Sequence, residues 1–173
     1  FTKCHSLVQA FMAWVSGHVN GNVTVALVPD TSNTNRTMPG PGSGTGWWGG
    51  TGGAPASGIT AYGILAGTGT TAPAITNYAM ETLIAHGTGA GQLSYAAQVM
   101  NTTLWTVSGA DSYSDNARTL TNSTASTITI REVGYVINMS GTTGRFLIDR
   151  TAANQAVLAS TAVVITYRFK ITV

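Results

Sequence analysis

The chain has 173 residues, enough for one domain with a core of its own, and the lone Cys4 excludes both an internal disulfide and a Cys-based zinc site. Only 8 residues are Lys or Arg and 6 are Asp or Glu, 8% of the chain against roughly a quarter in an ordinary soluble domain, and the net charge is +2. That balance excludes a nucleic-acid footprint, leaves few groups for acid–base chemistry, and points to a subunit whose exterior is covered by neighbours.

The elements read as follows in chain order. His5–Gly17 places Leu7, Val8, Phe11, Met12, Trp14 and Val15 at spacings of three and four, which predicts one short amphipathic helix ended by Gly17. The sequence opens on Phe1 without an initiating Met, so the expectation is a chain that is processed, trimmed or part of a longer one. Asn22–Val28 alternates as a strand stopped by Pro29-Asp30. Residues 31–58 form a Gly/Pro-rich arm, with nine glycines between Pro39 and Gly58 around the pair Trp47-Trp48. Ile59–Ala66 is a strand, and Gly67–Thr82 is a turn-rich connection leading to the short apolar stretch Leu83–Ala85. Gln92–Val107 predicts a long or kinked strand, or two strands joined near Asn101. Arg118–Arg131 predicts a polar strand or hairpin. Glu132–Asn138, Gly144–Arg150 and Ala162–Val173 are the clearest strands. In the last, Val164, Thr166, Arg168, Lys170 and Thr172 share one face, and Val163, Ile165, Tyr167, Phe169, Ile171 and Val173 the other.

One helical pattern among many strand signals, in a chain rich in Thr with 21 Gly, predicts an all-β fold. We expect a single domain over residues 1–173, a jelly-roll-like β-sandwich embellished by the N-terminal helix and the long Gly-rich arm. No apolar run approaches the roughly 18 residues of a membrane span, so no membrane partner is expected. Residues 1–80 hold only Lys3, Asp30 and Arg36, whereas Arg118, Arg131, Glu132, Arg145, Asp149, Arg150, Arg168 and Lys170 all follow position 117. The expectation is a contact surface in the N-terminal half and a solvent-facing sheet in the C-terminal part.

Candidate chemistry is sparse. Gly67-Thr68-Gly69-Thr70-Thr71 follows a strand, but no Gly-Lys-Ser/Thr and no convincing helix succeed it, so it reads as a structural turn rather than a phosphate cradle. His5, His18 and His86 share no ligand spacing, which favours hydrogen-bonded or exposed histidines over a metal site. Glu132 and Asp149 neighbour arginines and read as ion-paired rather than as a hydrolytic pair. No Gly-x-Ser-x-Gly elbow is present. Catalytic, cofactor and metal residues are therefore assigned nowhere. Trp47 and Trp48, with Phe11 and Trp14 of the helix, are the candidate interface residues. Ligand stacking, and burial in the chain's own core, stand as alternatives for the Trp pair. Five Asn-x-Ser/Thr sequons, at Asn22, Asn35, Asn101, Asn122 and Asn138, are what chance gives in a chain this rich in Asn and Thr.

Two segments carry a family resemblance. Gly67-Thr68-Gly69-Thr70-Thr71-Ala72-Pro73, followed by Asn77-Tyr78-Ala79-Met80-Glu81-Thr82, resembles a "GTGTTAP…DYALE" signature of small structural proteins of tailed bacteriophages. Glu132-Val133-Gly134, the run Arg145–Thr151 and the strand around Val164–Phe169 resemble the ending of the same family. The resemblance spans Ile59–Val173. These motifs are turns and strand ends, so they imply a shared fold and virion membership rather than a shared reaction. The implied protein is a capsid decoration, head-fibre or tail-associated β-sandwich, assembled with itself as a trimer or ring and with other virion proteins. A receptor- or carbohydrate-binding tip, with a glycan as partner, is the alternative, and a major shell or tail subunit the next. Asn77 stands where the signature often has an acid, which puts an ion-mediated contact at that position in question.

Overall fold

The computed structural model describes residues 6–19, 24–39, 54–100, 106–139 and 144–172. Its elements are β1 (Ser6–Leu7), α1 (Gln9–Val19), β2 (Thr24–Pro29), β3 (Asn35–Pro39), β4 (Gly63–Gly67), β5 (Ser94–Tyr95), β6 (Val99–Met100), β7 (Thr106–Ser108), β8 (Asp111–Asn122), β9 (Ile128–Asn138), β10 (Arg145–Val157) and β11 (Thr161–Thr172). The fold is all-β with one short helix, as the patterning predicts. A four-stranded sheet runs β1-β10-β9-β4, and a second runs β11-β8-β5 with β6 and β7 also paired to β8. The antiparallel pair β2–β3 stands apart as a small third sheet.

Several boundaries differ from the sequence reading, each for a local reason. The helix starts at Gln9 because Ser6 and Leu7 pair with Arg150 and Asp149 at the edge of the four-stranded sheet. It also runs through Gly17 to Val19. The opening of the expected arm is ordered as β3, because Asp30 builds the β2–β3 turn. Its Oδ1 accepts the Ser32 and Thr34 N–H groups, both at 2.9 Å, its Oδ2 pairs with Arg36, and Asn33 takes the left-handed conformation at φ 58°. Burial works against the Asp30 carboxylate, yet these donors outweigh it and hold its pKa below the usual value. The remaining arm, 40–53, with Trp47 and Trp48, lies outside the described residues.

The predicted Gln92–Val107 strand is broken into β5, β6 and β7, which follow one another along β8; residues 101–105 between β6 and β7 are outside the description. Between β5 and β6, Gln98 turns its side chain inward. Its Oε1 accepts the Ile64 N–H at 2.7 Å and its Nε2 donates to the Tyr135 hydroxyl. The segment Arg118–Arg131, expected as a polar strand or hairpin, is no hairpin: β8 and β9 lie in different sheets, and the chain crosses between them in a turn. Asn122 closes it, donating to Ser126 O and Val157 O while Thr124 donates back to its Oδ1.

The core between the sheets contains Ile64, Leu120 and Tyr135, none more than 1% exposed. Tyr135 packs against Tyr167 and Phe169 of the opposite sheet, with ring centroids 5.3 and 5.7 Å apart. In β10, Phe146 through Arg150 are buried without alternation. Such a run needs both faces of a strand covered. One faces the other sheet, and α1 packs on the strand from outside, tied by the Val8 N–H to Ile148 O at 3.2 Å.

The expected division of charge is corrected here. Of the eight charges after position 117, Arg118, Glu132, Asp149 and Arg150 are buried. Asp30 is buried as well, so five of the fourteen formal charges leave the surface. The C-terminal strands hold most of the charge, but half of it is buried.

Tyr95 and Tyr135 pin the sheets with neutral hydroxyls. Tyr95 Oη donates to Ile84 O at 2.9 Å and accepts the Ala66 N–H at 3.3 Å, and burial pushes both phenols up to about 12. Tyr167, more fully enclosed and beside Asp149, is raised further. A raised phenol favours the protonated folded state, so stability is full below the unfolded value near 10 and falls as pH climbs from there toward 12. By pH 11 the loss is about 1 kcal/mol per tyrosine. Urea midpoints between pH 8 and pH 11 check this: Tyr95→Phe flattens the decline, and an equal decline in that variant contradicts it.

Candidate functional site

The two segments that carry the family resemblance meet at one place. The loop after β4, residues 68–82, crosses the outer face of the four-stranded sheet and closes over Glu132 of β9 and Arg150 of β10. Gly67 pairs with Glu132, and Arg150 with Gly134, which brings both side chains to that outer face. The Glu132 carboxylate, 1% exposed, accepts four donors: Thr82 N–H at 2.7 Å and Gly69 N–H at 3.2 Å on Oε1, Arg150 Nε at 2.7 Å and Glu81 N–H at 3.1 Å on Oε2. The Arg150 guanidinium, also buried, donates onward to Asn77 Oδ1 at 3.1 Å, Thr71 O at 3.2 Å and Glu81 Oε2 at 2.9 Å.

The motif residues explain themselves in this geometry. A Cβ at Gly69 would lie 2.6 Å from Glu132 Oε1, and one at Gly67 would lie 2.5 Å from Thr82 O, so the glycines let backbone reach the carboxylate. Glu81 receives the Thr71 N–H and hydroxyl, both at 2.9 Å; those bonds, with the Arg150 charge, hold its pKa below the usual value. Asn77 Oδ1 also accepts the Ala74 N–H at 2.7 Å. The amide oxygen thus meets both the loop backbone and Arg150, and no carboxylate is needed there. With Glu81 and Glu132 already on Arg150, a third acid would be surplus. The expectation that Glu132 is ion-paired holds. Asp149 lies on the inner face, accepting the Thr151 hydroxyl at 3.3 Å and neighbouring Tyr167.

A second buried cation went unnoticed in the sequence. Arg118 of β8 donates to Ala96 O (2.9 Å), Ile64 O (3.1 Å), Ile59 O (2.6 Å) and Ala56 O (3.4 Å), and stands 4.9 Å from the Tyr95 ring centre. It ties β8 to β4 and to the segment before it. The available signal was register: the even positions of β8, from Ser114 to Asn122, form the inner face beside Leu120.

Among the described residues, the remaining sequence candidates lie apart from one another. Phe11 is half-buried against the core, and Trp14 lies on α1 with its side chain outside the description. His86 Nδ1 accepts the Tyr95 N–H at 3.1 Å, the hydrogen-bonded role expected of it. His18 lies on α1 with its side chain undescribed, and His5 is outside the described residues. No group of three His, Cys, Asp or Glu is set to hold a metal among the described residues, and no described helix is long and apolar enough to cross a membrane.

On the five-stranded sheet, Asp115 pairs with Arg168 and Asp111 with Lys170, at 2.7 and 3.1 Å, and Arg168 lies over the Tyr113 ring. On the face of this neutralised ladder Val99 and Val164 are each more than 60% exposed, and on the opposite face, toward the end of the sheet, so are Val107 and Ile171. Between β10 and β11 a groove of about 300 Å³ opens, lined by Thr151, Ala153, Gln155, Val163 and Ile165 above Tyr167, without a charge. A concavity of about 500 Å³ lies among Thr68, Thr88, Ala90, Thr124, Thr127 and Ile128. Comparison of the chain with protein-family models, with curated proteins and with solved structures finds no match.

Proposed function

We propose that this chain is a non-enzymatic structural protein of a virus particle, of the tailed-phage type its motifs resemble, acting as capsid decoration or head fibre through contacts between subunits. The observation that carries the reading is the disposition of charge. A chain with fourteen formal charges commits five to its interior and neutralises four more in one surface ladder, leaving apolar and hydroxyl surface outside. Such a surface favours association by apolar burial and backbone hydrogen bonding, with few ionic contributions. The signature residues support it too, because their hydrogen bonds are spent on holding a loop. The passage of the chain from β8 to β9 and from β10 to β11, each time between sheets, suits a jelly-roll winding.

Two measurements test this. An image reconstruction of the particle should place the chain at a symmetric outer position, its copy number separating decoration protein from head fibre, shell protein and tail subunit. The purified assembly should also keep its mass between about 0.1 M and about 1 M salt, where exposed charge pairs are screened. Dissociation on raising salt alone would overturn the reading. A glycan-binding tip is the second reading, favoured by the uncharged concavity between Thr68 and Ile128. Loss of glycan binding with assembly intact in Trp47→Ala and Trp48→Ala variants would select it.

A further inference from the structure

β11 is the outer strand of the five-stranded sheet. It pairs with β8 from Thr161↔Asn122 to Thr172↔Asp111 without a register shift, and no other strand among the described residues pairs with it. Edge strands that stay solitary carry a bulge, a proline, an unneutralised charge or a cover. From Thr161 to Thr166 this edge has none of the first three, since the run Thr-Ala-Val-Val-Ile-Thr is uncharged, regular and free of Gly and Pro, and Val164 is 61% exposed. Arg168 and Lys170 follow, but Asp115 and Asp111 draw both back onto their own sheet. The neighbouring edges are guarded differently: β4 is short, buried and bounded by Gly63 and Gly67, and β10 is interrupted by two register shifts.

We propose that β11 pairs antiparallel with β11 of a second copy of this chain, continuing the sheet across a two-fold axis. The proposal rests on the reading above that copies of the chain contact one another, and names the contact. Opposed residues in an antiparallel pair share a face, so residue numbers across the join must sum to an even value. Two registers then overlap nearly the whole strand, one centred on Thr166 and one on Tyr167. The first sets Val164 opposite Arg168 of the second copy, and the second sets it opposite Lys170 of the second copy. In neither does a cation face a cation, because both cations lie toward one end of the strand. The uncharged half of each strand therefore lies against the charged half of the other, and the pattern is self-complementary about the axis.

The sign of a charge placed at position 164 tests this. Molecular mass across a dilution series should show a dimer for the unaltered chain. Val164→Lys, setting a third cation against those of the second copy, should weaken dimerisation at least about tenfold, while Val164→Glu, opposite the same cations, should leave it unchanged or tighter. Thr119→Lys, on the same outer face but on the interior strand β8, should change it little. A monomer at every concentration, equal weakening by Lys and Glu, or indifference to both would overturn the proposal, with circular dichroism reporting that each variant is folded. The two readings fail separately. A β11 dimer absent from particles sinks the virion role alone, and a particle protein whose dimer ignores the sign at 164 sinks this contact alone.

Discussion

Replacing Arg150 with Met will lower the unfolding free energy by about 3–5 kcal/mol, the range for removing one partner of a buried ion pair. Arg150 and Glu132 are each no more than 2% exposed. Without the guanidinium, Glu132 becomes a buried anion held by three backbone N–H groups, and Asn77 Oδ1, Thr71 O and Glu81 lose a donor. A buried ion pair can often be exchanged for apolar side chains at little cost. Here it cannot, because Glu132 is also the acceptor for the Gly69, Glu81 and Thr82 N–H groups, each costing about 1–3 kcal/mol if left buried and unmet. The double variant Glu132→Leu with Arg150→Met should therefore be no more stable than Arg150→Met alone. Urea titrations followed by circular dichroism measure all three proteins, and a double variant restored to the parent midpoint refutes the clamp.

Arg118→Met should cost about 3 kcal/mol or more, on the same scale of about 1–3 kcal/mol for each buried carbonyl left without a donor. The side chain reaches Ala96 O, Ile64 O, Ile59 O and Ala56 O with a planar fork. Desolvation lowers its pKa, yet a guanidinium starts so high that it stays charged. Lys has one compact head in place of the fork and cannot span those carbonyls, so Arg118→Lys should recover only part of the loss. Hydrogen exchange gives the localisation: the Gln98-to-Ile64 link and the strands around it should lose protection first. A Lys variant as stable as the parent would show that charge alone, rather than the fork, is what the site uses.

Much of the sheet was legible in the sequence. Alternation located β2, and divided β11 correctly into the face that carries buried Tyr167 and the face that carries exposed Val164, Arg168 and Lys170. Ile171 is the exception, exposed although it follows the inward set, in a row with Ser112 and the equally exposed Val107. The polar interior was not legible, for the same reason that alternation works: it equates inward with apolar. On β8 the inward positions are Ser114, Asn116, Arg118, Leu120 and Asn122, so the rule points the wrong way along most of the strand. β3 escaped notice because its turn is made by Asp30, whose bonds to Ser32, Thr34 and Arg36 leave no hydrophobic period to read. The signature motif was legible as a turn. That its residues converge on a carboxylate contributed fifty or more positions later depends on the β4–β9 register, which no local pattern records.

The Glu132–Arg150 pair also bears on how the chain finds its fold. Strands β9 and β10 are joined through two register shifts, between Leu147 and Asp149 and between Ala152 and Gln155, so their alignment is not dictated by an unbroken ladder. A slip of one residue would turn Arg150 to the inner face, away from Glu132 and the loop. The ion pair and the three N–H groups that share its carboxylate reward one alignment only. They act as a proofreading contact for the hairpin, accepted when strand and loop agree and lost when either is out of step.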